Sequence, residues 1–171
     1  MATKKSNKKV KILYTAFEAV PFIKLGGLGD VAGTLPASIN VHNCDCRVII
    51  PYLSIISKQH QMLFNHIGDY SVFSAGEQRD FALYSVKLRG VTYYLIKNSY
   101  YFDRKGAYGE KDDIERFAFF SRAILESIKH MKGFKPEVLH CNDWHTALTN
   151  LFLHEEFEED FHFFKHYIEN R

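Results

Sequence analysis

Lys24, Gly26, Gly27 and Asp30 fall close together in the stretch FIKLGGLGDVAGTLP at positions 22–36. Paired glycines let backbone amides approach an anion with no Cβ in the way. A lysine beside them adds a mobile full charge. The amides at the start of a helix carry partial positive charge, so the combination suits a phosphate group. The stretch is neither a G-x-G-x-x-G fingerprint nor a P-loop. The plain alternative is a strand-to-helix turn with Lys24 in solvent.

A second cluster is LHCNDWH at positions 139–145, with His140, Asp143 and His145. Three readings compete. A metal site including Cys141 is disfavoured, because the His140-to-His145 gap is poor for one helix face and no second ligand cluster accompanies it. Asp143 can instead cap a helix, with Trp144 in the core. Or Asp143 and His145 stand at the rim of the same cleft as the glycine loop, since parallel sheets bring such strand ends together. Glu18, just before Pro21, is either a cleft carboxylate or a surface charge. Tyr108 lies in a polar loop and can stack on a sugar or a base, though exposed loop tyrosines are common. Arg116 reads as a solvated or capping charge at a helix start. Cys44 and Cys46 flank a strand and receive no role.

These residues need elements to hold them. Residues 10–17, VKILYTAF, are a β-rich apolar run. GDVAGTLPASIN follows with Val31, Leu35 and Ile39 at helical spacing, weakened by Gly33 and Pro36. CRVIIP at 46–51 reads as a second buried strand. Strand, helix and strand make a βαβ unit, which implies a parallel sheet with a right-handed crossover. YSVFS, DFALYSVKL and VTYYLIKN read as a β-hairpin region appended to that sheet, with Arg89-Gly90 as a tight turn. Residues 101–113 read as a polar, glycine-containing loop. IERFAFFSRAILESIKHM is an amphipathic helix, PEVLHCND a strand, and WHTALTNLFLHEEFEED a further helix capped by Asn142 or Asp143. The order predicts an α/β domain of three layers.

The chain has 171 residues, a one-domain length, and 46% apolar content, enough for a core. A net charge of +2, with both signs intermixed, gives no basic face for nucleic acid. Three cysteines without disulfide spacing point to a reduced compartment. No signal-peptide pattern or membrane-length apolar run is present, so the expected location is cytoplasmic. Residues 1–9 read as a disordered basic leader and residues 10–171 as the domain.

Taken together, the motifs resemble the glycogen and starch synthase family, the ADP-glucose glucosyltransferases. The resemblance runs through FEAVPFIKLGGLGDVAGTLP, CRVIIP, YFDRKGAYGE, ERFAFFSRAILE and PEVLHCNDWHTAL, in order. It implies a GT-B-type enzyme with two Rossmann-like domains facing a cleft, of which this chain resembles the N-terminal one. It implies transfer of glucose from ADP-glucose to the 4-hydroxyl at the non-reducing end of an α-1,4-glucan, with retention of configuration and with neither metal nor cofactor. Lys24 matches the family lysine of the ADP-glucose site, and Gly26 and Gly27 match the loop that approaches the donor. Asp30 and Glu18 match acidic positions near the sugar, Tyr108 a loop tyrosine near the substrate, and Asp143 and His145 the element lining the cleft.

Three positions depart from the family pattern. Leu25 stands where a small or hydroxylated residue is usual, Phe17 where a serine is, and Asn142 where some members have histidine. The family also continues into a catalytic HN motif and a second domain, which leads to the expectation that this chain alone lacks useful transferase activity. A non-catalytic glucan-binding module and a nucleotide-sugar-binding fold, including one using UDP-glucose, are the alternatives. A sheet edge left uncovered would favour self-association.

Overall fold

A computed structural model describes residues 8–160. The basic leader expected over residues 1–9 therefore lies outside the described residues except for Lys8 and Lys9, as does the stretch 161–171.

The first strand, β1 (Val10–Thr15), is fully buried over Leu13, Tyr14 and Thr15. Burial on both faces is what a central parallel strand requires. Its neighbours are β2 (Cys44–Pro51) on one side and β6 (Val138–Cys141) on the other, both parallel to it. Between β1 and β2 runs α1 (Gly27–Asn40), which keeps both Gly33 and Pro36 inside the helix. Gly33 is there for contact: a Cβ at this position would lie 2.6 Å from the Val20 carbonyl oxygen. The glycine thus lets α1 press against the turn that leaves β1.

The hairpin region extends the same sheet. β3 (Asn65–Ser74) pairs antiparallel with β4 (Glu77–Leu88), and β4 antiparallel with β5 (Val91–Lys97). β5 lies parallel to β2, so the sheet order is β3-β4-β5-β2-β1-β6. Both two-residue turns have positive φ at each position: Ala75 and Gly76 at 53° and 83°, Arg89 and Gly90 at 49° and 80°. That is the turn geometry whose twist matches antiparallel strands. Only the second was marked by the sequence pattern.

Three short or broken elements differ from the sequence expectation. A single turn, α2 (Lys58–Gln61), precedes β3 and is capped by Ser57. The loop expected over residues 101–113 begins inside another turn, α3 (Ser99–Phe102), where Asn98 accepts from the Tyr101 amide at 2.8 Å. That turn buries Tyr101 and Phe102 completely. After β6, the expected single helix is split into a 3-10 turn (Trp144–Thr146) and α5 (Leu148–Glu155).

The long helix α4 (Asp113–His130) matches its apolar periodicity and buries Phe117, Phe120, Ile124 and Ile128. Asp113 and Glu115 in its first turn and Lys129 and His130 in its last complement the helix dipole. The β1-to-β2 and β5-to-β6 crossovers run in opposite directions along the sheet. Right-handed connections of that kind place α1 and α4 on opposite faces, giving the three layers.

Candidate functional site

The site forms where β1 and β6 end side by side. Thr15 is in register with Cys141, and the Asn142 amide donates to the Thr15 carbonyl at 3.0 Å. The segments leaving the two strands therefore start as neighbours.

Glu18 leaves β1 and is 1% exposed. Its Oε2 accepts from the amides of Leu25 and Gly26, the latter at 3.2 Å. The buried carboxylate thus ties the glycine loop to the strand exit. Of the two sequence readings, surface charge and cleft carboxylate, burial removes the first. The four glycines of this region divide by what surrounds them. A Cβ at Gly29 would meet Ile23 O at 3.0 Å and Glu18 Oε2 at 3.1 Å, so Gly29, like Gly33, serves packing. Among the described residues, a Cβ at Gly26 would meet only Glu18 Oε1, at 3.9 Å, and one at Gly27 would meet nothing within 4 Å. Gly26 and Gly27 border open space at the start of α1. Lys24 Nζ pairs with Asp30 Oδ1 at 2.8 Å, with both side chains more than half exposed. An exposed pair of this kind contributes about 0–1 kcal/mol, so Lys24 is easily redirected.

On the β6 side, Asp143 sits at φ 67° and accepts from the Trp144 amide at 2.7 Å, capping the 3-10 turn. Trp144 is not in the core, contrary to one reading of this segment; it is 56% exposed. His145 goes inward instead and is 3% exposed. The short turn explains the exchange, because it rotates the second residue after Asp143 toward α4. The imidazole stacks on Phe17 with centroids 5.3 Å apart and meets Phe117 edge-on at 5.1 Å. Tyr108 lies against it at 5.1 Å.

Both ring nitrogens of His145 are buried with no hydrogen-bond partner among the described residues. Burial pushes its pKa below the ordinary histidine value, opposed by the nearby charges of Asp143, Glu18 and Asp113. The ring is therefore neutral at neutral pH, and it lies beneath the surface of the site rather than facing it.

The structure thus brings Glu18, Gly26, Gly27, Tyr108, Asp143 and His145 to one end of the sheet. Lys24 and Asp30 stand on the loop beside them, engaged with each other. His140 lies apart, stacked on Tyr14 at 4.5 Å. Among the described residues no group of three or more His, Cys, Asp or Glu side chains is arranged to hold a metal ion.

Sequence reasoning missed three contributors. Phe17 and Phe117 form the apolar wall behind His145, and their aromatic character alone did not separate them from core. Arg116, expected as a solvated or capping charge, is fully buried. Asp113 and Arg116, three apart at the start of a helix that follows a glycine loop, were the available signal.

The family described as the starch synthase catalytic domain matches residues 11–168. Glycogen synthase of Clostridium novyi is 45% identical over 148 residues, covering 86% of this chain and 31% of its own length. Glycogen synthase of Desulfitobacterium hafniense is 40% identical over 151 residues, covering 88% and 32%. The catalytic domain of starch synthase IV from Arabidopsis thaliana, bound to ADP and acarbose, superimposes with a TM-score of 0.80 at 26% identity, covering 90% of this chain and 32% of that one. The chain spans about a third of the length of the curated relatives it matches.

Proposed function

The chain belongs to the starch synthase catalytic-domain family, and from that premise we propose that it forms one wall of the active-site cleft of a retaining glucosyltransferase. The reaction is transfer of glucose from ADP-glucose to the non-reducing end of an α-1,4-glucan. The observation that carries this reading is the convergence, at the carboxyl ends of β1 and β6, of Glu18, which holds the glycine loop, with His145, against which Tyr108 lies. Ligands of open α/β sheets bind at such ends.

The chemistry assigns each group a task. As the bond from glucose C1 to the diphosphate breaks, negative charge grows on the leaving oxygen and positive charge on the sugar. The amide of Gly27 at the start of α1, together with Lys24 released from Asp30, stabilises the leaving diphosphate, and stabilising developing charge lowers the barrier. Glu18, by accepting from the Leu25 and Gly26 amides, holds the loop that presents it. Asp143 and Asp30 orient sugar hydroxyls through charge-assisted hydrogen bonds, and the neutral His145 supports Tyr108 from beneath. Tyr108 stacks on the sugar. The reading calls for no metal or organic cofactor, and it places the protein in the cytoplasm. Among the described residues no helix is long and apolar enough to cross a membrane.

The test is an NMR titration of the labelled chain with ADP-glucose and, separately, with a maltooligosaccharide. The proposal expects saturable shifts at the amides of Gly26, Gly27, Tyr108 and His145. It also expects Lys24→Ala to weaken ADP-glucose binding about 10–100-fold, the worth of one charge-assisted contact, with the fold unchanged. Shifts confined elsewhere, or undiminished nucleotide-sugar binding in the variant, count against it. Binding of the oligosaccharide without the nucleotide sugar would favour a glucan-binding module.

A further inference from the structure

Tyr108 is fastened on both sides by one ion pair. The carbonyl of Ala107, just before it, accepts from Arg116 Nη2 at 3.0 Å. The amide of Gly109, just after it, donates to Asp113 Oδ2 at 2.6 Å. Arg116 Nη1 and Asp113 Oδ1 are themselves 2.6 Å apart, three residues apart on α4 and so on one face of its first turn. Arg116 Nε donates to the Tyr101 carbonyl at 2.8 Å, closing the other end of the loop.

This arrangement is costly for a merely structural device. The Arg116 side chain is completely buried and that of Asp113 is 14% exposed. Taking such charges out of water opposes folding, and apolar residues of similar size often do as well in a core. What a guanidinium offers that they do not is a rigid fork of directed donors. Here two of its bonds go to loop carbonyls. The loop needs them, since it contains Gly106 and Gly109, the latter at φ 95°, and glycines lose the most freedom on ordering.

We propose that Arg116 and Asp113 are positioning residues of the candidate site. The pair holds Tyr108 against His145 before any ligand arrives, so that the stacking surface is preset. The functional meaning rests on the reading of Tyr108 as ligand-facing over His145; the clamp itself is independent of ligand. Presetting a contact removes an ordering cost from binding.

The test reads the Tyr108–His145 ring contact directly, as a nuclear Overhauser effect in the full 171-residue chain. The Tyr14–His140 stack, outside this loop, is the internal control. Arg116→Lys keeps the charge but loses the fork, and Asp113→Ala removes the acceptor for Gly109. Because Asp113→Ala leaves the buried Arg116 without its partner charge and Arg116→Lys buries an ammonium that cannot serve both carbonyls, the double variant Asp113→Ala/Arg116→Met is the one expected to stay folded. The expected result is loss of the Tyr108–His145 signal in the double variant while the control signal persists. Persistence of both signals overturns the proposal, and so does absence of the Tyr108–His145 signal from the unmodified chain. With a maltooligosaccharide as probe, the same variant should bind about tenfold more weakly. If the unmodified chain binds no oligosaccharide, the site reading fails, and the ligand-free signal still decides the clamp.

Discussion

Gly33→Ala and Gly27→Ala make opposite predictions within one helix. In an exposed helix interior, replacing glycine by alanine gains about 1 kcal/mol. At Gly33 the new methyl group would sit 2.6 Å from Val20 O, 2.9 Å from Val20 Cβ and 3.0 Å from Val20 N. Val20 cannot swing away as a long side chain could. Its amide donates to the Gly29 carbonyl at 3.0 Å, and Pro21 follows it. Overpacking a tight contact costs about 1–3 kcal/mol, and a clash with backbone belongs at the upper end. The net expectation for Gly33→Ala is a loss of about 2 kcal/mol, or roughly 4–8 °C in Tm for a chain of this size. At Gly27 nothing lies within 4 Å, so Gly27→Ala should leave Tm unchanged or raise it by about 1–4 °C. Thermal melts followed by circular dichroism on the two variants decide the matter. A Gly33→Ala variant as stable as the unmodified chain would refute the packing argument. A destabilised Gly27→Ala would refute the claim of open space at the loop.

Glu18→Gln should lower stability by about 2 kcal/mol, because two amide bonds to a carboxylate become bonds to a neutral amide at about 1 kcal/mol each. An unchanged denaturation midpoint would mean that the carboxylate does not hold the loop. His145→Phe should be neutral or stabilising at pH 7, since neither ring nitrogen has a partner to lose among the described residues. It should also flatten the acid side of the stability curve. The folded pKa of His145 lies below its ordinary value. Between the two values the unfolded chain binds more protons, so His145's contribution is fully present above about pH 6.5 and lost as pH falls toward the folded pKa. Equal slopes for variant and unmodified chain between pH 7 and 5 would contradict this. His140 shifts in the same direction in both, so the difference isolates His145.

The legible parts were those written in periodicity and turn chemistry. α4 shows its apolar stripe plainly, and β1, β2 and β6 are short apolar runs bounded by breakers. Arg89-Gly90 announces a turn because glycine tolerates positive φ, whereas Ala75-Gly76 hides one behind a residue that seldom adopts it. The inversion of Trp144 and His145 was not legible. Hydropathy puts tryptophan inside, but the Asp143 cap and the short turn after it decide which side chain points inward. Arg116 was misjudged for a related reason. Its carbonyl partners, at Tyr101 and Ala107, are set by the path of the loop and leave no trace in residue type. The Lys24 to Asp30 stretch was readable as a loop opening a helix, yet composition could not separate Gly26 and Gly27, which face space, from Gly29 and Gly33, which face neighbours.

The pairing of β1 with β6 also has a temporal side. Tyr14 finds His140 across a separation of 126 residues, while β1 and β2 meet after a short crossover. Contacts so distant in sequence require most of the chain to be gathered first, and they slow folding. β6 is four residues long and has β1 as its single strand partner among the described residues. It is therefore a natural place for the sheet to open locally. Such an opening would carry off the Asp143–His145 segment and leave the glycine loop, still gripped by Glu18, in place. Amide exchange should then be fast at residues 138–145 and slow along β2 and β5, so that the two halves of the site have different lifetimes within one folded molecule.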